Sequence, residues 1–163
     1  MLNHMVLEIK KNKPDNITIY ADIPGHKFNN GTIPPDIILT SSRPDLILIN
    51  RTEKRIDVLE LSCSFEKNIE SAHQIKELRY FDLKTDLQQA GWLVNLVPFE
   101  IGSRGLVTKR NKTALINTFK RNHIKVKHNN LIKNVSKISL LCSYVIFQAR
   151  TEPTWETPPL LHP

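Results

Sequence analysis

The sequence predicts an α/β domain built on a mixed sheet, and three observations carry that expectation. Two apolar runs flank a charged segment of hairpin length, a 26-residue stretch then takes up helical spacing, and a glycine admits a further apolar run behind it. At 163 residues the chain fits one domain of ordinary size.

The elements follow in chain order. Residues 17–20 alternate over a short strand, and Pro24-Gly25 with Asn29-Asn30-Gly31 marks a loop. Pro34-Pro35-Asp36 leads into Ile37-Ile38-Leu39-Thr40, a further strand candidate that Ser41-Ser42-Arg43-Pro44 ends. Asp45 opens the next strand, which runs to Asn50. Residues 51–55 form a polar turn, and 56–63 return as a strand. This antiparallel pair collects its charges at the bend.

From Phe65 to Ala90 the period changes. Ile69, Ala72, Lys76, Tyr80, Leu83, Leu87 and Ala90 recur at three-and-four spacing, which predicts one helix with a single stripe. Gly91 stands where a C-cap glycine belongs. Residues 92–99 read as a buried strand closed by Gly102-Ser103-Arg104-Gly105, laid parallel by a right-handed crossover. Residues 113–121 and 131–150 read as helices, and 151–163, with four prolines, as an extended tail. The expected organisation is one domain over 1–150, with a core at 17–105 and a basic helical extension at 106–150.

The formal charge of +7 is unevenly spread. Between Arg104 and Arg150 stand 11 Lys or Arg and no acid, leaving 12 bases against all 16 acids elsewhere, a net of −4. A slightly acidic body thus carries a strongly basic C-terminal third. That stretch suits phosphate contacts, with Arg104, Lys109, Arg110, Lys112, Lys120 and Arg121 as candidates, although a solvated helical face would read the same way. Aromatics are sparse there (Phe119, Tyr144, Phe147), which favours a duplex backbone over stacked single strands. No reading-helix signature is visible.

Hydrophobic content of 40% with 24% charged residues excludes a disordered chain. The longest apolar-leaning stretch, 140–147, is too short to span a bilayer, so no membrane is expected. Cys63 and Cys142 alone make no disulfide framework and favour an intracellular, reducing compartment. The N-terminus has no secretory pattern, so the Asn-x-Ser/Thr triplets at Asn16, Asn30, Asn50, Asn111 and Asn134 are expected to be compositional. His123 and His128 lack the paired cysteines of a zinc site.

Two carboxylates stand out by position. Asp45 opens one arm of the hairpin, and Glu60 lies in Leu59-Glu60-Leu61 on the other. A carboxylate in an apolar strand must be paired, protonated or metal-bound, and an ion pair at the sheet's edge would satisfy it too. On a helical wheel with Ile69 at zero, Lys76 falls at about 340°, Tyr80 at about 20° and His73 at about 40°. Lys76 therefore sits within the apolar stripe, where it either snorkels to the rim or pairs with Glu60. Two carboxylates, a lysine and a tyrosine between one sheet and one helix suit a metal-dependent hydrolytic site.

Pro44-Asp45, then Glu60-Leu61-Ser62, resembles the PD-(D/E)XK motif of restriction-endonuclease-like nucleases, and the element order resembles their αβββαβ core, here with C-terminal helices. The resemblance implies that Asp45, Glu60 and the Leu61 carbonyl hold a divalent ion, Mg²⁺ with Mn²⁺ as a substitute. It also implies a lysine at the third motif position. Ser62 stands there instead, so Lys76 is the candidate replacement and Lys67 the second choice. A wider set of segments is similar to nuclease-like domains of eukaryotic transposable elements. They are Ala21-Asp22-Ile23-Pro24-Gly25, Ile33-Pro34-Pro35-Asp36, Arg43-Pro44-Asp45, Phe65-Glu66-Lys67-Asn68-Ile69, Lys76-x-x-x-Tyr80, Gly91-Trp92 and the 100–105 run Glu-Ile-Gly-Ser-Arg-Gly.

That resemblance implies a DNA endonuclease, nuclear if it acts on genomic DNA. Within it Asp45, Glu60, Lys76, Ser62 and Tyr80 are the candidate catalytic set, with Asp22 and Asp36 as further ligands or surface turn residues. Two other readings stand beside it: a non-catalytic nucleic-acid-binding remnant of the same fold, and a protein-interaction module.

Overall fold

A computed structural model describes residues 1–24 and 31–150. In chain order the elements are α1 (Leu2–Asn12), β1 (Ile17–Ala21), β2 (Leu46–Asn50), β3 (Arg55–Ser64), a 3-10 turn (Glu66–Asn68), α2 (Ile69–Arg79), α3 (Phe81–Gln89), β4 (Leu93–Gly102), α4 (Lys109–Arg121) and α5 (His128–Ala149). The four strands form one sheet in the order β1-β2-β3-β4. β1 and β2 are antiparallel, as are β2 and β3, and β4 runs parallel to β3 from Arg55 opposite Leu93 to Ser64 opposite Gly102. The chain is thus α/β with a mixed sheet, as its strand and helix periods predict.

Each face of the sheet is covered by helices. Alternation sends Leu59, Phe99 and Ile101 to one face, where Met5, Ile9, Leu115, Phe119, Leu131 and Val135 close over them. Ile56 and Val58 point to the other face and meet Tyr80, Leu83 and Leu87 together with Ile33 and Ile37. All five residues of β2 are buried, which is why residues 46–49 are apolar in unbroken succession rather than alternating, with Asn50 closing the run. The hydrophobic interior therefore extends beyond residues 17–105, since α1, α4 and α5 supply most of one layer.

The structure corrects several element expectations. Residues 37–40 are not a strand: the Ile37 and Ile38 amides both donate to the Pro34 carbonyl, at 2.9 and 3.3 Å, and Leu39 is 86% exposed. Pro35 presets the turn, and that local bond wins over the β-propensity of the isoleucines. Residues 65–90 are not one helix. A 3-10 turn precedes α2, and the axis bends at Tyr80 (φ −104, ψ 11) before α3. A straight helix of that length would run about 39 Å, against about 33 Å for the strands beneath, and the bend keeps both halves over a twisted sheet.

The end of α3 follows expectation. Gly91 takes φ +84, the Trp92 amide donates to the Leu87 carbonyl at 3.1 Å and the Gly91 amide to the Gln88 carbonyl at 3.0 Å, a Schellman cap. α1 is an element that strand and helix periods in the sequence did not announce; Met5, Val6 and Ile9 are wholly buried. α4 starts at Lys109 rather than 113 because Thr108 caps it, its hydroxyl accepting from the Asn111 amide at 3.2 Å. The expected loop at residues 25–30 and tail at 151–163 lie outside the described residues. Among those described, no helix is long and apolar enough to cross a membrane.

Candidate active site

The β2–β3 register brings the two singled-out carboxylates together. Leu46 pairs with Leu59, so one further step sets Asp45 opposite Glu60. The two then exchange bonds across the strands. The Asp45 amide donates to Glu60 Oε2 at 3.1 Å, and the Leu61 amide donates to Asp45 Oδ2 at 2.7 Å. Glu60 is 4% exposed, and β3 alternation puts it on the α2 face with Val58 and Ser62.

Lys76 reaches this pair from above. Its Nζ donates to Glu60 Oε1, and its side chain keeps only 18% of its exposure. The Arg79 guanidinium lies 3.9 Å from the same oxygen but is largely solvated. Helical spacing explains the approach: Ile69, Lys76 and Tyr80 share a stripe, so a lysine descends where an apolar residue would otherwise sit.

The electrostatics are those of two acids held close. Burial pushes the Asp45 carboxyl above the usual aspartate range and the Glu60 charge adds to it; the Leu61 amide and Lys76 act in the opposite direction. Tyr80 is pushed well above an ordinary phenol, chiefly by burial and then by Glu60 through its charge and a hydrogen bond. Its hydroxyl also donates to the Arg43 carbonyl at 3.5 Å. Tyr80 therefore stays neutral beside the carboxylates.

The other candidates divide. The Ser62 hydroxyl oxygen is buried without a hydrogen-bond partner among the described residues. Lys67 sits 5.9 Å from the Phe65 ring centroid, whereas Lys76 is the lysine that bonds Glu60. Asp22 pairs with Arg43 at 2.6 Å, and its charge still acts on Asp45. Asp36 is held by Arg51 at 2.7 Å, which lowers its carboxyl below the usual range, and it takes no part in the site.

Among the described residues, no group of three or more His, Cys, Asp and Glu side chains is placed to hold a metal ion. Two carboxylates nevertheless fit Mg²⁺, which usually keeps several waters and takes one or two carboxylates plus substrate phosphate. Each carboxylate here retains lone pairs beyond its present bonds. Burial lifts Asp45 first and the Glu60 charge adds to it, a crowding of negative charge that a shared cation relieves.

The basic candidates do not form one surface. Arg104 is bound by Glu66 through its backbone amide (2.8 Å) and Nε (3.1 Å), and Arg110 pairs with Glu70 at 3.0 Å. Both lie at the β3–β4 end nearest α2. Arg121 instead lies 3.5 Å from the buried Asp57, and its carbonyl accepts from Arg55. That places the end of α4, with Lys120, three to five strand residues along β3 from Glu60, about 10–17 Å. Lys109, Lys112 and Lys120 are exposed.

Two buried acids, Asp57 and Glu100, escaped the sequence reading. Glu100 is fully buried, opposite Ser62 in register; it accepts from Asn111 Nδ2 at 2.9 Å and faces His73 Nδ1 at 3.1 Å. The signal was present, since Glu100 follows the apolar Val97-Pro98-Phe99 just as Glu60 follows Leu59. Compared with known proteins, the chain matches no protein-family model and no curated protein.

Proposed function

We propose that the chain is a divalent-metal-dependent DNA endonuclease with a restriction-endonuclease-like core, of transposable-element descent. The observation that carries the reading is the Lys76–Glu60–Asp45 cluster: a lysine donated by the helix enters the carboxylate pair that the hairpin assembles. It answers the departure at Ser62, because the cation is present in space although absent from its motif position.

Asp45, Glu60 and the Leu61 carbonyl would hold the ion. When bound, such an ion acidifies a coordinated water and neutralises charge on the phosphate. Glu60 holds the Lys76 ammonium inside the site, where it can orient the attacking water and donate to the phosphate as charge builds. Tyr80 stays protonated and stiffens the wall behind Glu60. Arg104 and Arg110, anchored by Glu66 and Glu70 at the same end of the sheet, are the basic groups best placed for the flanking duplex backbone.

The test is plasmid nicking by the purified chain in Mg²⁺ or Mn²⁺. Cleavage is expected to vanish in Asp45→Ala and in Glu60→Ala; unchanged cleavage in both overturns the proposal. A second reading, a non-cutting nucleic-acid-binding remnant, is favoured by the unpartnered Ser62 hydroxyl. It predicts salt-sensitive DNA binding with no metal-dependent cutting in the wild type.

A further inference from the structure

β4 is the last strand of the sheet, and among the described residues no strand pairs with its outer edge. The Glu100 carbonyl points to that edge, since it accepts from Asn111 of α4 at 2.7 Å. Alternation then turns the backbone groups of Val94, Leu96 and Pro98 the same way, because residues of one parity in a strand direct their N–H and C=O to one side. Pro98 has no N–H to offer, as befits an edge position. Among the described residues, no hydrogen bond from another element reaches the outward groups of Val94 and Leu96.

Cavities flank this edge on both faces. On the α2–α3 side lies one of about 470 Å³, walled by the exposed Leu78 and Phe81 with Leu96, and bordered by Gln74, Glu77 and Lys84. On the α4 side lies one of about 530 Å³, lined by Asn95, Asn117, Lys120 and Arg121 without an acid. A third, of about 350 Å³, continues along Trp92, Val94 and Asn95. The two principal hollows sit at the same level of the strand, one apolar and one basic.

We propose that the β4 edge from Leu93 to Leu96 is a docking site for an extended peptide whose side chains alternate apolar and acidic. Such a peptide adds a fifth strand through main-chain hydrogen bonds to Val94 and Leu96. Its alternate side chains fall on opposite faces, so the apolar ones enter the Leu78–Phe81 hollow and the acidic ones meet Lys120, beside an Arg121 that already pairs with the buried Asp57. Charge complementarity selects the acid, and the unpaired edge selects the extended backbone over a helix. This surface is independent of Asp45, Glu60 and Lys76.

The probe is a capped eight-residue peptide alternating leucine or valine with glutamate, followed by fluorescence anisotropy on the full chain. Saturable binding is expected, with the Val94 and Leu96 amides gaining protection from hydrogen exchange. N-methylation of one alternate set of peptide amides is expected to weaken binding about tenfold or more, and of the other set far less. A Lys120→Glu variant is expected to weaken the acidic peptide and not a version with glutamine for glutamate. Equal binding of a scrambled peptide, equal effects of both N-methylated sets, or no saturation at millimolar peptide overturns the proposal.

Discussion

Replacing Lys76 by methionine keeps most of the buried stem and removes only the ammonium, so it isolates what the charge does. In the wild type that ammonium meets a Glu60 side chain with 5% of its surface exposed. Breaking a buried ion pair costs about 3–5 kcal/mol, because the remaining charge stays desolvated and unpaired. Glu60 would keep the Asp45 amide at 3.1 Å and a solvated Arg79 at 3.9 Å, which reduces the expected loss to about 2–4 kcal/mol. For a domain of this size each kcal/mol moves Tm by about 2–4 °C, so a fall on the order of 10 °C is expected.

The assay is thermal and urea unfolding of wild type, Lys76→Met, Glu60→Gln and the double variant at neutral pH. The double variant should recover most of the loss, since a neutral pair leaves no charge stranded. A Lys76→Met protein within about 0.5 kcal/mol of wild type would refute the reasoning. So would a double variant no more stable than Lys76→Met. Either result would mean that the lysine spends its time in solvent rather than in the site.

Asp45→Asn should abolish cleavage and yet raise stability at neutral pH. A carboxyl lifted by folding contributes its stability below the ordinary aspartate pKa and loses it as pH rises through the raised value. Unfolding free energies from acid to neutral pH would check it: the variant should be the less sensitive to rising pH. Cleavage by the wild type should rise with pH through a pKa above the ordinary aspartate range, read from a pH–rate profile at Mg²⁺ well below saturation, where the metal-free carboxyl sets the pH dependence. Gly105→Ala should destabilise by about 1–2 kcal/mol from its φ of +86 alone. The loss should be larger in practice, because the new Cβ would meet the Ser136 carbonyl at 2.8 Å; thermal unfolding would show it.

The hairpin and the Glu60–Lys76 approach were legible because both rest on local periods. A strand's alternation put Glu60 on one face, and a helix's turn put Lys76 over that face. The partners of the basic residues were not legible. Glu66 takes Arg104, Glu70 takes Arg110 and Asp57 takes Arg121, each over tens of residues, and no tally of charge along the chain contains those pairs. Ser62 facing Glu100 was hidden for the same reason, since it depends on which residue of β4 lies beside β3. α1 escaped because its stripe of Leu2, Met5, Val6 and Ile9 spans only about two helical turns and carries no side-chain cap.

By itself the sequence determined the hairpin with its polar turn, the strand behind the helical stretch, the Gly91 cap and the placing of two acids and a lysine in apolar company. These follow from backbone sterics and side-chain period, which act over a few residues. Only the tertiary structure decided that the helix bends at Tyr80, that residues 37–40 turn instead of pairing, that the basic third divides between two ends of the sheet and that β4 is the last strand of the sheet. Those outcomes depend on register, on sheet twist and on ion pairs between distant segments, and such forces exist only once the layers have met.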